Sequence, residues 1–179
     1  MKLDTIVNQP VIETAQFDLR PLRPSDAGLI AMNAGDARVA MNTTSIPHPL
    51  PPGLTEALID RARAEDRIED FWAMDGSKSG RDELMGLISL MRLDRNQSEI
   101  GYWVAPAFWN TGVASAAVTA LVEANPQDCA NIFASVFQDN AASARVLTNC
   151  GFQYLGDAES FSVARGMTVP TWTYSRRYG

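Results

Sequence analysis

The sequence of 179 residues is poor in the side chains that anchor metals and disulfides: it has one histidine, His48, and two cysteines, Cys129 and Cys150. A single imidazole excludes a histidine-based metal centre, and two scattered thiols add little, so no metal site is expected. Two cysteines are also too few for a disulfide scaffold, as expected of a chain kept in a reducing, cytoplasmic compartment. A serine–histidine–aspartate triad would have to draw on His48 in a proline-rich loop, and no nucleophile elbow is present. No apolar run reaches the roughly 18 residues that a membrane-spanning helix needs, and Met1–Thr5 lead into no apolar block of the kind a signal peptide carries. Positive charge is scarce as well: 15 Lys and Arg against 21 Asp and Glu leave a net charge of −6. General nucleic-acid binding is not expected, because it needs a positive footprint. The Gly-Lys-Ser/Thr of a P-loop and the three spaced glycines of a dinucleotide fold are both missing.

What is present can fill a core. Hydrophobic residues make up 46% of the chain, enough to exclude wholesale disorder, and the length suits one domain spanning 1–179. Phe17–Arg23 reads as an edge strand, because Pro21 cannot donate to an inner ladder. Ser25 or Asp26 is placed to cap a helix through Ala27–Asn33, and 36–41 reads as a further turn or two. Four prolines between Ser45 and Gly53 require a loop. Thr55 is placed to cap a polar helix from Glu56 to about Ile68. Asp70–Asp75, Glu83–Leu93 and Ser98–Val104 form a three-strand meander, antiparallel because its connections are too short for crossovers. A helix of Ala, Val and Leu over about 112–124 leads to the apolar strand Asn131–Phe137, which allows a right-handed parallel crossover. Asp139 or Asn140 caps a helix over Ala141–Asn149 that ends at Cys150-Gly151. Phe152–Leu155 starts another strand, and Met167–Arg177 supplies a last one. The order predicts a mixed α/β layer structure around one sheet.

Trp109-Asn110-Thr111-Gly112-Val113-Ala114 is the most informative local feature. It joins a strand to a helix whose first amides have no intrahelical partners and sit at the positive end of the helix dipole. No acidic residue follows until Glu123. A phosphate or pyrophosphate could settle there without a lysine; an ordinary tight turn is the plainer alternative. Glu99 opens a strand on which Glu99, Gly101 and Trp103 share one side and Ile100, Tyr102 and Val104 the other. A carboxylate beside a cleft can accept a proton, directly or through water, and Glu69, Asp82 and Glu83 are weaker versions of the same idea. Asn140 and Ser143 face the same way at a helix start, as cap and hydroxyl or as ligand contacts. Arg145 is near enough to meet a phosphate.

Several segments together resemble one family, the GNAT N-acetyltransferases, and within it the ribosomal-protein N-terminal acetyltransferase (RimJ/RimL-like) branch. Thr14–Leu22 with Asp26 looks like that branch's first strand and helix start, and Leu84–Ile88 like its central strand. Glu99–Trp109 is similar to its most recognisable block. Gly112 and Ala114 meet the acetyl-CoA signature, with Trp109 in the leading place where a basic or amide residue is usual. Asn140–Ser143 and Cys150–Phe152 resemble the helix and glycine–phenylalanine end that follow. The resemblance implies a GNAT-like fold: a six- to seven-stranded, mostly antiparallel sheet with splayed central strands and about four helices. It implies acetyl-CoA (coenzyme A) as cofactor. The pantetheine arm would lie against Tyr102, Trp103 and Val104, and the pyrophosphate on the amides of Asn110, Thr111, Gly112, Val113, Ala114 and Ser115 behind Trp109, with Asn140 and Ser143 flanking the thioester.

The implied activity is N-acetyl transfer to a primary amine, a protein N-terminus or a small amine, by direct attack. Glu99 would be the base, a backbone N–H near Val104 the oxyanion donor, and Ser143 or a water on Asn140 the proton source for the thiolate. Many relatives carry a tyrosine where this chain has Leu147, and Ser115-Ala116-Ala117 replaces an acidic pattern. Those departures leave a second expectation, a catalytically inactive acyl-CoA-binding or protein-interaction module. No nucleic-acid or membrane partner is expected, and the resemblance implies a monomer or homodimer.

Overall fold

The computed structural model describes residues 9–178; the reading of Met1–Thr5 lies outside them. Eight strands form one sheet: β1 (Ile12–Glu13), β2 (Asp18–Pro21), β3 (Glu69–Asp75), β4 (Gly86–Leu93), β5 (Gln97–Val104), β6 (Asn131–Phe137), β7 (Gln153–Ser162) and β8 (Met167–Arg177). Their order across the sheet is β1-β2-β3-β4-β5-β6-β8-β7. Five α-helices accompany them: α1 (Ala27–Ala34), α2 (Ala37–Ala40), α3 (Leu54–Ala62), α4 (Val113–Ala124) and α5 (Ala141–Asn149). The mixed α/β GNAT-like architecture is as expected, with one more strand and one more helix than the ranges given above. The added strand is β1, which pairs Ile12 with Leu19 and Glu13 with Asp18.

The chain packs in three layers. On one face of the sheet, Val113, Ala117, Val118, Leu121 and Val122 of α4 and Ala144 and Leu147 of α5 close over Ile88, Leu90, Ile100 and Ile132. The spacing of the α4 residues is a single apolar stripe, which is why an alanine- and valine-rich segment settles as a helix here. On the other face, Ile30 and Ala34 of α1 and Ile59 and Ala62 of α3 cover Ala73, Leu84 and Leu87.

Several boundaries differ from the sequence reading. β2 is not an edge strand, since β1 and β3 flank it; Pro21 is tolerated because it pairs with Trp72 on the β3 side and lies beyond the reach of two-residue β1. Asp26 does not cap α1. Its carboxylate accepts from the Arg23 N–H at 2.9 Å and from Arg20 Nη1 and Nη2 at 2.9 and 2.8 Å, and Arg20 also donates to Asp75 at 2.7 Å. Thr55 lies inside α3, which starts from Gly53 in the left-handed region at φ 83°. That helix ends at Ala62, short of Ile68, where Arg67 turns back to pair with Asp70 at 2.8 Å. Strand β4 begins at Gly86, three residues later than expected.

The meander of β3, β4 and β5 is antiparallel throughout. The crossover through α4 makes β5 and β6 parallel, but only over three rungs, Gln97–Glu99 against Asn131–Phe133. Beyond them β5 stays with β4 as far as Val104 and β6 stays with β8 as far as Phe137, so the two strands part. Gly86 guards this divergence. A Cβ on it would lie 2.3 Å from the Trp103 carbonyl oxygen and 3.0 Å from Val104 Cα. Gly86→Ala is expected to cost about 1–3 kcal/mol through overpacking, read as a lower denaturant midpoint at unchanged slope. An unchanged midpoint would show that β4 and β5 separate without loss.

Candidate active site

The divergence of β5 and β6 opens a cavity of about 500 Å³. Its walls come from Tyr102, Trp103 and Val104 on β5, Ala134–Val136 on β6, and Asn140, Ser143 and Leu147 at and in α5. It runs on to Trp109, Asn110, Gly112, Val113, Ala114 and Ser115 at the front of α4. Of the residues expected to hold a cofactor, Thr111 alone does not line it; its hydroxyl donates to the Phe108 carbonyl instead.

The front of α4 is bare. Gly112 occupies the N-cap position at φ 83°, and no side chain caps the helix. Asn110 is also left-handed, at φ 60°. Two such residues flank Thr111, and the first amides of the helix behind them have no intrahelical partner. A Cβ on Gly112 would meet nothing within 4 Å, so glycine is needed there for its φ and not for want of room. Trp109 is fixed beside this turn by its indole, which donates to the Val104 carbonyl at 2.7 Å.

Charge in the cavity is one-sided. Although the chain has 21 acidic residues, the charged side chains lining the cavity are Arg38 and Arg145. Arg38 was not legible as a site residue: it lies on α2, far along the chain, with no local motif. Its guanidinium sits 5.6 Å from the Trp109 ring centroid and is oriented by Asp36 through bonds of 3.1 and 2.8 Å. The pairing holds the Asp36 carboxyl below its ordinary range.

Asn140 caps α5, its Oδ1 accepting from the Ser143 N–H at 3.3 Å. Ser143 in turn meets Tyr102: the two hydroxyl oxygens are 2.7 Å apart, and the Tyr102 hydroxyl lies 3.3 Å from the Ser143 carbonyl. Burial pushes the Tyr102 phenol up to about 12, against the pull of the Ser143 bond.

Glu99 stands apart from these groups. It occupies the last β5–β6 rung, opposite Phe133, and does not line the cavity, although Gly101, two residues on along the same face, does. Burial raises its pKa above the ordinary carboxylate range, and the charge of Glu69 adds to the rise. Glu69 is fixed by the Ser89 hydroxyl, which donates to it at 2.7 Å. The two carboxylates share a face because both pair with Met91.

The remaining sequence candidates are elsewhere. His48 is in the loop before α3, outside the cavity. Cys129 is buried and Cys150 half-buried, both as free thiols. Among the described residues no group of three or more His, Cys, Asp or Glu could hold a metal, and no helix is long and apolar enough to cross a membrane.

The sequence model of the acetyltransferase (GNAT) domain matches residues 16–153. The chain is 30% identical over 179 residues to the uncharacterised N-acetyltransferase YoaA of Bacillus subtilis (strain 168), with 93% of this chain and 96% of that protein covered. Among solved structures it is similar to RimL, the ribosomal L7/L12 alpha-N-protein acetyltransferase, in complex with coenzyme A. The TM-score is 0.81 at 18% identity, over 94% of this chain and 98% of that one. It is also similar to the microcin C7 self-immunity acetyltransferase MccE in complex with acetyl-CoA and AMP, with a TM-score of 0.79 at 14% identity over 92% and 94%. The spermidine N-acetyltransferase of Vibrio cholerae in complex with CoA and spermine gives 0.77 at 16% identity over 92% and 96%. At these identities the structures show a shared fold, and they come from several branches, so the ribosomal branch is not singled out. The match across residues 16–153 and the relative at 30% identity agree on one assignment: the chain belongs to the GNAT acetyltransferase family.

Proposed function

We propose that the protein is an acetyl-CoA-dependent N-acetyltransferase that transfers an acetyl group to a primary amine by direct attack. One observation carries this reading: the gap between β5 and β6 is continuous with the uncapped front of α4, in a cavity lined by two arginines and no carboxylate. Such a cavity suits an elongated ligand with an anionic head and a neutral arm. Bare amides at a helix N-terminus hold a diphosphate without lysine, and Arg145 adds positive charge at the wall, where Arg38 is paired with Asp36. The coenzyme A and acetyl-CoA complexes of RimL and MccE support acetyl-CoA as the donor, which brings the acetyl group as an activated thioester.

The chain supplies the rest. Amides of Asn110 and Gly112–Ser115 bind phosphate oxygens, and β5 from Tyr102 to Val104 lines the arm. A backbone N–H near Val104 polarises the carbonyl. Glu99 takes a proton from the amine through water, since its carboxyl lies off the cavity wall. Asn140 and Ser143 flank the sulfur. The acceptor is a protein N-terminus or a small amine, the two kinds named in the ribosomal-protein and spermidine acetyltransferase structures.

The position of Glu99 outside the cavity favours one second reading, a module that binds acyl-CoA without turnover. Calorimetric titration with acetyl-CoA, followed by thiol release with ribosomal N-terminal peptides, polyamines and aminoglycosides, separates the two. Saturable binding with release for at least one amine is expected. Binding without release on any amine would favour the module, and absence of binding would overturn both.

A further inference from the structure

We propose that Tyr102 is a catalytic residue whose phenol donates a hydrogen bond to the sulfur of the departing coenzyme A, with Ser143 as its positioning partner. The inference rests on the acetyltransferase reading and deepens it, because that reading leaves the leaving thiolate to Ser143 or a water.

The hydroxyls lining the cavity belong to Tyr102, Ser115, Ser135 and Ser143. Ser115 is in the first turn of α4, at the phosphate end. Ser135 lies on β6 one residue from Ala134 and Val136, which share the Tyr102 face, so its side chain is on the opposite face of the sheet. Tyr102 and Ser143 remain, and they meet across the gap between β5 and α5, hydroxyl to hydroxyl at 2.7 Å. One turn further along α5, Leu147 is fully buried and apolar, so the helix offers no second donor at that level. A phenol, with an ordinary pKa of about 10, is a stronger hydrogen-bond donor than a serine alcohol.

The step balances without a titrating acid. As the tetrahedral intermediate collapses, the carbon–sulfur bond breaks and its electron pair goes to sulfur. The Tyr102 O–H holds the developing charge and keeps its own proton, and the thiolate takes a proton from water as coenzyme A leaves. Burial of Tyr102 suits this role, since it keeps the phenol protonated across the working pH range. The other titratable groups near the hydroxyl are Cys150, whose charge raises the phenol further, and Arg145 on the cavity wall; Glu99 is on the opposite face of β5.

The test reads the thiol of bound coenzyme A, titrated by the ultraviolet absorbance of its thiolate, together with steady-state kinetics. In the wild-type protein the bound thiol should ionise at a lower pH than free coenzyme A. Tyr102→Phe should raise that bound pKa by about one unit. It should also lower kcat by about ten- to a hundredfold while the KM for acetyl-CoA stays within about threefold. Ser143→Ala should lower kcat, but by less than Tyr102→Phe does, through looser positioning of the phenol. A larger loss from Ser143→Ala than from Tyr102→Phe would overturn the inference in favour of the serine. Normal binding with an unshifted thiol in Tyr102→Phe would overturn it alone, whereas a wild-type protein that binds no coenzyme A would overturn the acetyltransferase reading with it.

Discussion

Gly112→Pro is expected to weaken acetyl-CoA binding by about a hundredfold or more while leaving the fold intact. Gly112 sits at φ 83°, and a pyrrolidine ring is locked near −65° and carries no N–H. The substitution therefore removes one donor and swings its neighbours out of line. Loss of two charge-assisted hydrogen bonds, each worth about 1.5 kcal/mol at the least, corresponds to roughly a hundredfold in affinity. The helix behind the turn does not depend on that residue's side chain, because a Cβ there meets nothing within 4 Å and the buried stripe begins at Val113. Circular dichroism should thus keep its wild-type shape and unfolding stay cooperative, at a melting temperature lowered by the forced change of φ, while calorimetry on the folded protein records the loss. Retained affinity would show that the phosphates sit elsewhere.

Glu99→Gln is expected to lower kcat by about a hundred- to ten-thousandfold at neutral pH, in the range of lost general-base catalysis, with recovery toward alkaline pH. Near neutrality most of a lysine-like amine is protonated, with a pKa near 10.4, and an α-amine titrates near 8. Above those values the acceptor deprotonates unaided and the base becomes dispensable. The stability of the variant separates this from damage to the fold. Burial and Glu69 raise the Glu99 carboxyl above its ordinary value, so the folded protein binds more protons than the unfolded chain between the two. In that window stability falls as pH rises, and above it the ionised Glu99 is a standing cost. Glu99→Gln removes that cost, and its melting temperature at pH 8 should match or exceed wild type. A parallel pH–rate profile in the variant would remove Glu99 as base.

The parts of the molecule legible from sequence are those that local chemistry sets. The bounds of β6 and β8 follow from their apolar and β-branched runs. Helix α4 starts after a glycine and stops at Asn125, which is left-handed at φ 42°. The cap at Asn140 and the end of α5 at Gly151, left-handed at φ 88°, are equally local. Contacts between distant segments were not legible. Strand β7 starts within Phe152–Leu155 as expected but runs on to Ser162, because its register shifts between Tyr154 and Gly156 and pairing with β8 resumes; where such a strand ends depends on its partner. Asp26 could be read only as a cap, since its bonds to Arg20 and the Arg20–Asp75 pair depend on how β2 meets β3. At the site, the anion-binding turn was visible because its helix dipole and glycine are local. The placement of Arg38 over Trp109 and of Tyr102 against Ser143 joins residues far apart in the chain, and no motif announces either.

Backbone hydrogen exchange, followed with and without saturating acetyl-CoA, tests the central claim most directly. The account predicts slowed exchange for amides of Asn110 and Gly112–Ser115, and for amides facing the gap between Tyr102 and Val104, with little change in β7 or α3. Protection confined to other segments, or none at saturation, would contradict it.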